Sequence, residues 1–220
     1  MQKHLALFLW MFKLDMKSQN TIMGVLVFGL SSIYSAYLLN GDVNDGTFLL
    51  SYWCIAALFA GVHTIQKDQF NSHNGSGSLY YQLTSPRQFA TVKSIYNGLF
   101  LAILFLFQWG MLLFYFGTSW TSINNLTTMF FAIFLIGMAM GTSLSFVNGI
   151  AQKTNQPGGI TAILSFAVLI PVLYAAVALM KKEALADQGQ QAQWGWLLIV
   201  MMNVLPFGLS NLLYPYLWRD

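Results

Sequence analysis

The positions of the charged residues constrain this chain more than any other feature. Residues 18–41, 46–66, 94–152, 154–180 and 188–218 contain no Asp, Glu, Lys or Arg. A spanning helix needs about 20 mostly apolar residues, and a charge at its centre costs roughly 2.5–3.5 kcal/mol on insertion scales. Four of these intervals suit one span each, and 94–152 suits two. The polar stretch Gly117-Thr-Ser-Trp-Thr-Ser-Ile-Asn-Asn125 supplies the turn between that pair. Charged residues make up 8% of the chain, against about 25% in soluble domains. That is too few to coat a water-soluble globule, and a soluble enzyme, a nucleic-acid binder and a disordered scaffold all fit poorly.

The expected fold is therefore all-α, a single polytopic transmembrane domain over 1–220. It has an N-terminal interfacial helix in 1–19, two spans in 20–65, a cytoplasmic segment at 66–89, two spans in 90–149, and two spans in 150–220 with a periplasmic loop near 181–194. The individual spans are expected near 21–39, 47–65, 90–116, 127–149, 159–180 and 195–217. An even count places both termini on one side. That side collects Lys3, Lys13, Lys17, Lys67, Arg87, Lys93, Lys153 and Arg219, while the other has only Lys181 and Lys182. The positive-inside bias then assigns both termini to the cytoplasm. It also accounts for the net charge of +3 without nucleic acid.

Leu5 to Phe12 is an apolar run too short to span, followed by Lys13, Asp15 and Lys17. It reads as a helix lying in the membrane interface, with Trp10 and Phe12 at the headgroup boundary and Lys13 and Lys17 facing phosphates. The competing reading is a frayed start to the first span.

Catalytic signatures are lacking. Gly149-Ile-Ala-Gln-Lys153-Thr154 is no phosphate loop, because it lacks the Gly before the Lys and follows a span rather than a strand. Deep carboxylates or cations, which proton relays and voltage sensors require, are also missing from the expected spans. No enzymatic activity is expected of this chain. His4, His63 and His73 lack ligand-like spacing, and the lone Cys54 excludes an internal disulfide and a cysteine metal cage. No metal site is expected.

Within 66–93, Gly75 and Gly77 mark a turn, and Leu79 and Leu83 with Tyr80 beside them suit a short amphipathic helix over 78–84. Phe70, Leu79, Tyr80, Tyr81 and Leu83 are the candidate docking residues for a cytoplasmic protein, against the alternative of a surface helix packing on its own bundle. Ser85-Pro86 reads as N-cap and first residue of the third span. Pro171 and Pro206 are expected to kink the fifth and sixth spans. Gly137, Gly141 and Gly149, with Ala139, suit close helix contact, and Asn148, Asn203 and Asn211 suit hydrogen bonds between helices. Trp120, Trp194 and Trp196 read as aromatic-belt anchors, and Lys181 to Gln193 as a polar loop or short helix.

This arrangement resembles the membrane subunits of ABC-2-type exporters, and more closely the haem exporter protein B (CcmB) family of bacterial cytochrome c maturation. The resemblance covers nearly the whole chain. Its most specific parts are Gly77-Ser-Leu-Tyr-Tyr-Gln-Leu-Thr-Ser-Pro86, similar to the family's GSLEQL…P segment, and Gly158-Gly159 leading to Ile170-Pro171. Tyr80 stands where the family usually has Glu, and Phe70-Asn-Ser-His-Asn74 replaces an Asp-rich stretch. The resemblance implies a permease-like subunit in the bacterial inner membrane, working with a separate cytoplasmic ATP-binding subunit (CcmA-like), further membrane subunits (CcmC-like and CcmD-like) and a periplasmic haem chaperone (CcmE-like). A second copy of the chain is a further candidate partner. The resemblance makes haem a candidate cargo of the complex and favours power transmission over haem ligation for this chain, because Trp194-Gly-Trp196 lacks the rest of the tryptophan-rich haem-handling motif of the sister subunits and its flanking histidines. Two alternatives remain open: an ABC-2 permease for a drug, lipid or polysaccharide, and a non-transporting assembly scaffold.

Overall fold

A computed structural model describes residues 2–17, 19–40, 45–71, 85–118, 121, 126–151, 157–185 and 194–217. Among these residues there are seven helices and no strands: α1 (Gln2–Lys17), α2 (Gln19–Asn40), α3 (Gly46–Asn71), α4 (Pro86–Phe116), α5 (Leu126–Ala151), α6 (Pro157–Leu185) and α7 (Gly195–Leu217). Five stretches are long and apolar enough to cross a bilayer: Gly46–His63 in α3, Pro86–Phe116, Leu126–Ala151, Ile163–Leu185 and Gly195–Tyr216. The chain thus has the make-up of a multi-pass membrane protein. In α2 the described apolar stretch, Leu26–Leu39, is shorter.

Local chemistry accounts for the helix ends. Asp45 precedes α3, and its Oδ1 accepts from the Thr47 backbone N–H at 3.0 Å and the Thr47 hydroxyl at 2.7 Å. This satisfies one of the donors that a helix start leaves open. Ser85 takes extended backbone angles before α4 (φ −74°, ψ 148°), Pro86 occupies the first turn, and the serine hydroxyl makes no capping bond. Helix α4 ends at Gly117, whose φ of 71° lies in the region that glycine alone enters freely.

Two boundaries differ from the sequence expectation. Helix α3 runs on through residues 66–71, so Phe70 belongs to its last turns; no Gly or Pro interrupts the chain before Gly75. Helix α6 continues through Lys181–Leu185, which replaces the start of the expected polar loop. Lys, Glu, Ala and Leu are good helix formers, and Glu183 gains a partner on α7.

The helices alternate in direction. Ser94 and Gly98 of α4 meet Ser145 and Gly141 of α5, an antiparallel register. Asn203 and Tyr214 of α7 meet Leu135 and Gly149 of α5, a parallel one. Gly29 and Tyr37 of α2 face Gln108 and Tyr115 of α4, also parallel. Helix α5 is the most enclosed span and α7 the least. The core is continuous from Ile33 on α2 through Trp53 on α3, Phe105 on α4 and Ile136 on α5 to Leu179 on α6 and Ile199 on α7.

The α4–α5 crossing is closest where both helices carry small residues. A Cβ on Gly141 would lie 2.5 Å from the Gly98 Cα, and one on Gly137 would overlap the Ala102 backbone. Small residues four apart on both helices let the two backbones touch, and dispersion between them supplies the attraction that lipid cannot.

Candidate functional site

Alternation brings the end of α3, the start of α4 and the ends of α5 and α7 to the same end of the bundle. At that end a neutral polar junction joins three helices. The Thr91 hydroxyl donates to the Asn211 Oδ1 at 2.8 Å, tying α4 to α7, and it also lies 2.8 Å from the Arg87 carbonyl. Asn211 in turn donates to the Phe207 carbonyl at 3.0 Å. Ser94 and Ser145 link α4 to α5 through a long 3.5 Å contact. Tyr214 closes the junction, with its ring against Gly149, where a Cβ would come within 2.5 Å of it.

Phe89 sits one turn into α4, its backbone N–H bonded to the Ser85 carbonyl at 3.1 Å. Its ring lies 6.1 Å from Tyr214, and the Lys93 ammonium stands 5.6 Å from its centroid. On its other side Phe89 packs in a small cluster where Leu7, Phe8 and Met11 of α1 meet Val92 and Tyr96. One aromatic residue therefore bridges α1 and α7 immediately after the connection from α3.

The sequence-level candidates distribute as follows. Leu79, Tyr80, Tyr81 and Leu83 lie outside the described residues, as do His73 and Trp120. Phe70 is on the helical backbone of α3. Pro171 is exposed inside α6 and Pro206 buried inside α7, and both helices are continuous through them. His63 is exposed on α3. Among the described residues no three His, Cys, Asp or Glu side chains gather as metal ligands.

Two of the three asparagines join helices. Asn203 donates to the Leu135 carbonyl of α5 at 3.1 Å and to the Ile199 carbonyl at 2.9 Å, and Asn211 bonds Thr91. Asn148 and Gln108 are buried with neither amide atom paired, and the buried Ser143 hydroxyl is also unpaired. Trp194 is exposed, whereas Trp196 is half-buried and donates to Glu183.

Sequence reading missed Glu183, Thr91, Tyr214 and the Gly98/Ala102 side of the helix crossing. The last had a visible signal, since Gly98 and Ala102 have the same four-residue spacing as Gly137 and Gly141. The others had none, because isolated polar residues near helix ends are ordinary in sequence.

No family model, curated protein or solved structure matches this chain. The groups that link the helices at the junction are hydroxyls and amides, which join helices and orient dipoles.

Proposed function

We propose that this chain is the permease-like membrane subunit of an ABC-type complex in bacterial cytochrome c biogenesis, coupling a separate cytoplasmic ATPase to haem delivery and to release of a periplasmic haem chaperone. In this reading α2 completes six spans in the inner membrane, α1 lies in the interface, and both termini face the cytoplasm. The observation that carries it is the placement of charge. Asp, Glu, Lys and Arg are confined to the end turns of the described spans, so a transport or release cycle has no proton or ion relay of its own. Energy then enters through a cytoplasmic contact. The long connection from α3 to α4 fits that contact, since it leads directly into Phe89 and the junction beyond it.

Haem staining of c-type cytochromes in a deletion strain, with and without complementation, tests this reading. Loss of holocytochrome with rescue is expected, together with co-purification of a nucleotide-binding subunit. Normal cytochromes with altered drug or polysaccharide export would replace this cargo with another. Reporter fusions at Gly46 and Ser122 should read as periplasmic, and fusions at Ser76 and Gln156 as cytoplasmic. The inverse pattern would overturn the orientation.

A further inference from the structure

Helix α1 has one face taken and one face open. Leu7, Phe8 and Met11 pack on Phe89, Val92 and Tyr96 of α4, with the Phe8 and Tyr96 rings edge to face at 5.5 Å. Away from that contact Ala6, Leu9, Trp10, Phe12 and Lys13 are exposed. Leu9 is 55% and Phe12 51% accessible. Two large apolar side chains this open, on a helix already anchored elsewhere, call for a nonaqueous cover.

The depth of α1 identifies that cover. At 1.5 Å per residue the 31 residues of α4 extend about 46 Å, well beyond a hydrocarbon core of about 30 Å. Arg87 and Lys93 assign the excess to the first turns of α4, because neither charge belongs in hydrocarbon. Helix α1 packs beside residues 89–96, at the level of the lipid headgroups. Its own charges are Lys3, Lys13 and Lys17 against Asp15 alone. Lysines reach from an apolar level to phosphate depth on their flexible stems.

We propose that the outward face of α1 is a docking surface for anionic phospholipid, with Leu9 and Phe12 in the acyl boundary, Lys13 among the headgroup phosphates and the net positive charge of the α1 sequence adding to the attraction. This rests on the interfacial placement of α1 given above and goes beyond it in assigning the charge of the lipid. A lipid-held α1 in turn steadies the first turns of α4 through Phe89 and Tyr96.

Two measurements on the full-length protein test the proposal and its basis separately. A fluorophore on Phe12→Cys, in a Cys54→Ala background, reports depth in phosphatidylcholine vesicles. Quenching by brominated lipid is expected. Quenching by aqueous iodide instead would remove the interfacial placement itself, and a probe reached by neither would mean a protein cover; either result overturns the proposal. Lipid charge is read by native mass spectrometry from equimolar phosphatidylglycerol and phosphatidylcholine. The wild-type protein should retain phosphatidylglycerol preferentially. Replacing Lys3, Lys13 and Lys17 together by Gln should cut that preference about a hundredfold, at about fivefold per lysine. Lys181→Gln with Lys182→Gln should leave it unchanged. A preference that survives the α1 substitutions, or that follows Lys181 and Lys182, sinks the proposal.

Discussion

The indole N–H of Trp196 donates a 2.8 Å hydrogen bond to the Oε1 of Glu183, tying the last turn of α6 to the first turn of α7. Glu183 is only 6% exposed, and a buried carboxylate is costly unless hydrogen-bonded. One turn before Glu183 on α6 the same helix pair is in backbone contact, since a Cβ on Gly195, the first residue of α7, would lie 2.7 Å from the Leu179 Cα. The hydrogen bond therefore braces an already tight crossing and holds the start of α7 against the end of α6.

Trp196→Phe should destabilise the protein by about 0.5–1.5 kcal/mol, the usual net worth of an intramolecular hydrogen bond. Glu183→Gln keeps an acceptor for the indole and should cost less. Thermal unfolding in detergent measures both, and equal effects would mean that packing rather than the hydrogen bond matters there.

The α4–α5 crossing tolerates no added side chain at its centre. Gly141→Leu should cost about 1–3 kcal/mol or more, as overpacked cores do. A Cβ on Gly110 would meet nothing within 4 Å, so Gly110→Leu on the same bundle should be neutral in the same melt. If the two variants unfold together, the close approach of α4 and α5 is not a source of stability.

Polar residues at the junction should differ sharply in their effects. A double-mutant cycle on Thr91→Ala and Asn211→Ala should return a coupling of about 0.6 kcal/mol, the average for hydrogen bonds between membrane helices. Asn148→Leu removes an amide that has no partner, and replacing an unsatisfied buried polar group is neutral or stabilising. A large loss from Asn148→Leu would show that the amide has a bound partner in the working complex.

Asp45 offers a pH test outside the spans. The Thr47 hydroxyl and then the Thr47 backbone N–H hold its carboxyl below the ordinary 3.8. A lowered folded-state value adds stability that is fully present above the ordinary pKa and is lost as pH falls through the folded one. Hydrogen exchange at Thr47–Leu50, corrected for intrinsic rates, should show the first turn of α3 loosening only below about pH 4. Asp45→Asn should abolish that pH dependence while retaining a cap.

Docking is tested in the connection from α3 to α4. Tyr80→Ala combined with Leu83→Ala should weaken ATPase binding by roughly 3–4 kcal/mol, a few hundredfold or more, if these are the interface anchors. The subunit should still insert. A cysteine at position 80 that never cross-links to the ATPase, with normal cytochrome maturation in the double variant, would exclude this segment as the contact.

Sequence alone determined that this chain is helical and where its apolar helices lie, because the spacing of charges and the cost of burying them act locally along the chain. It also located the start of α4 at Ser85-Pro86 and the small-residue face of α5. Only the tertiary structure decided which groups meet. Glu183 read as part of a polar loop or short helix, with nothing in the sequence to pair it with Trp196 of α7. Asn148, Asn203 and Asn211 looked alike in sequence, yet two found partners on neighbouring helices and one did not. Helix α1 packs through Phe8 and Met11 beside Tyr96 and Val92 of α4, a contact between segments distant in sequence that no local pattern announces. Hydropathy is a property of each residue and survives in the sequence, whereas a hydrogen bond between helices depends on the register and rotation of two segments far apart in the chain.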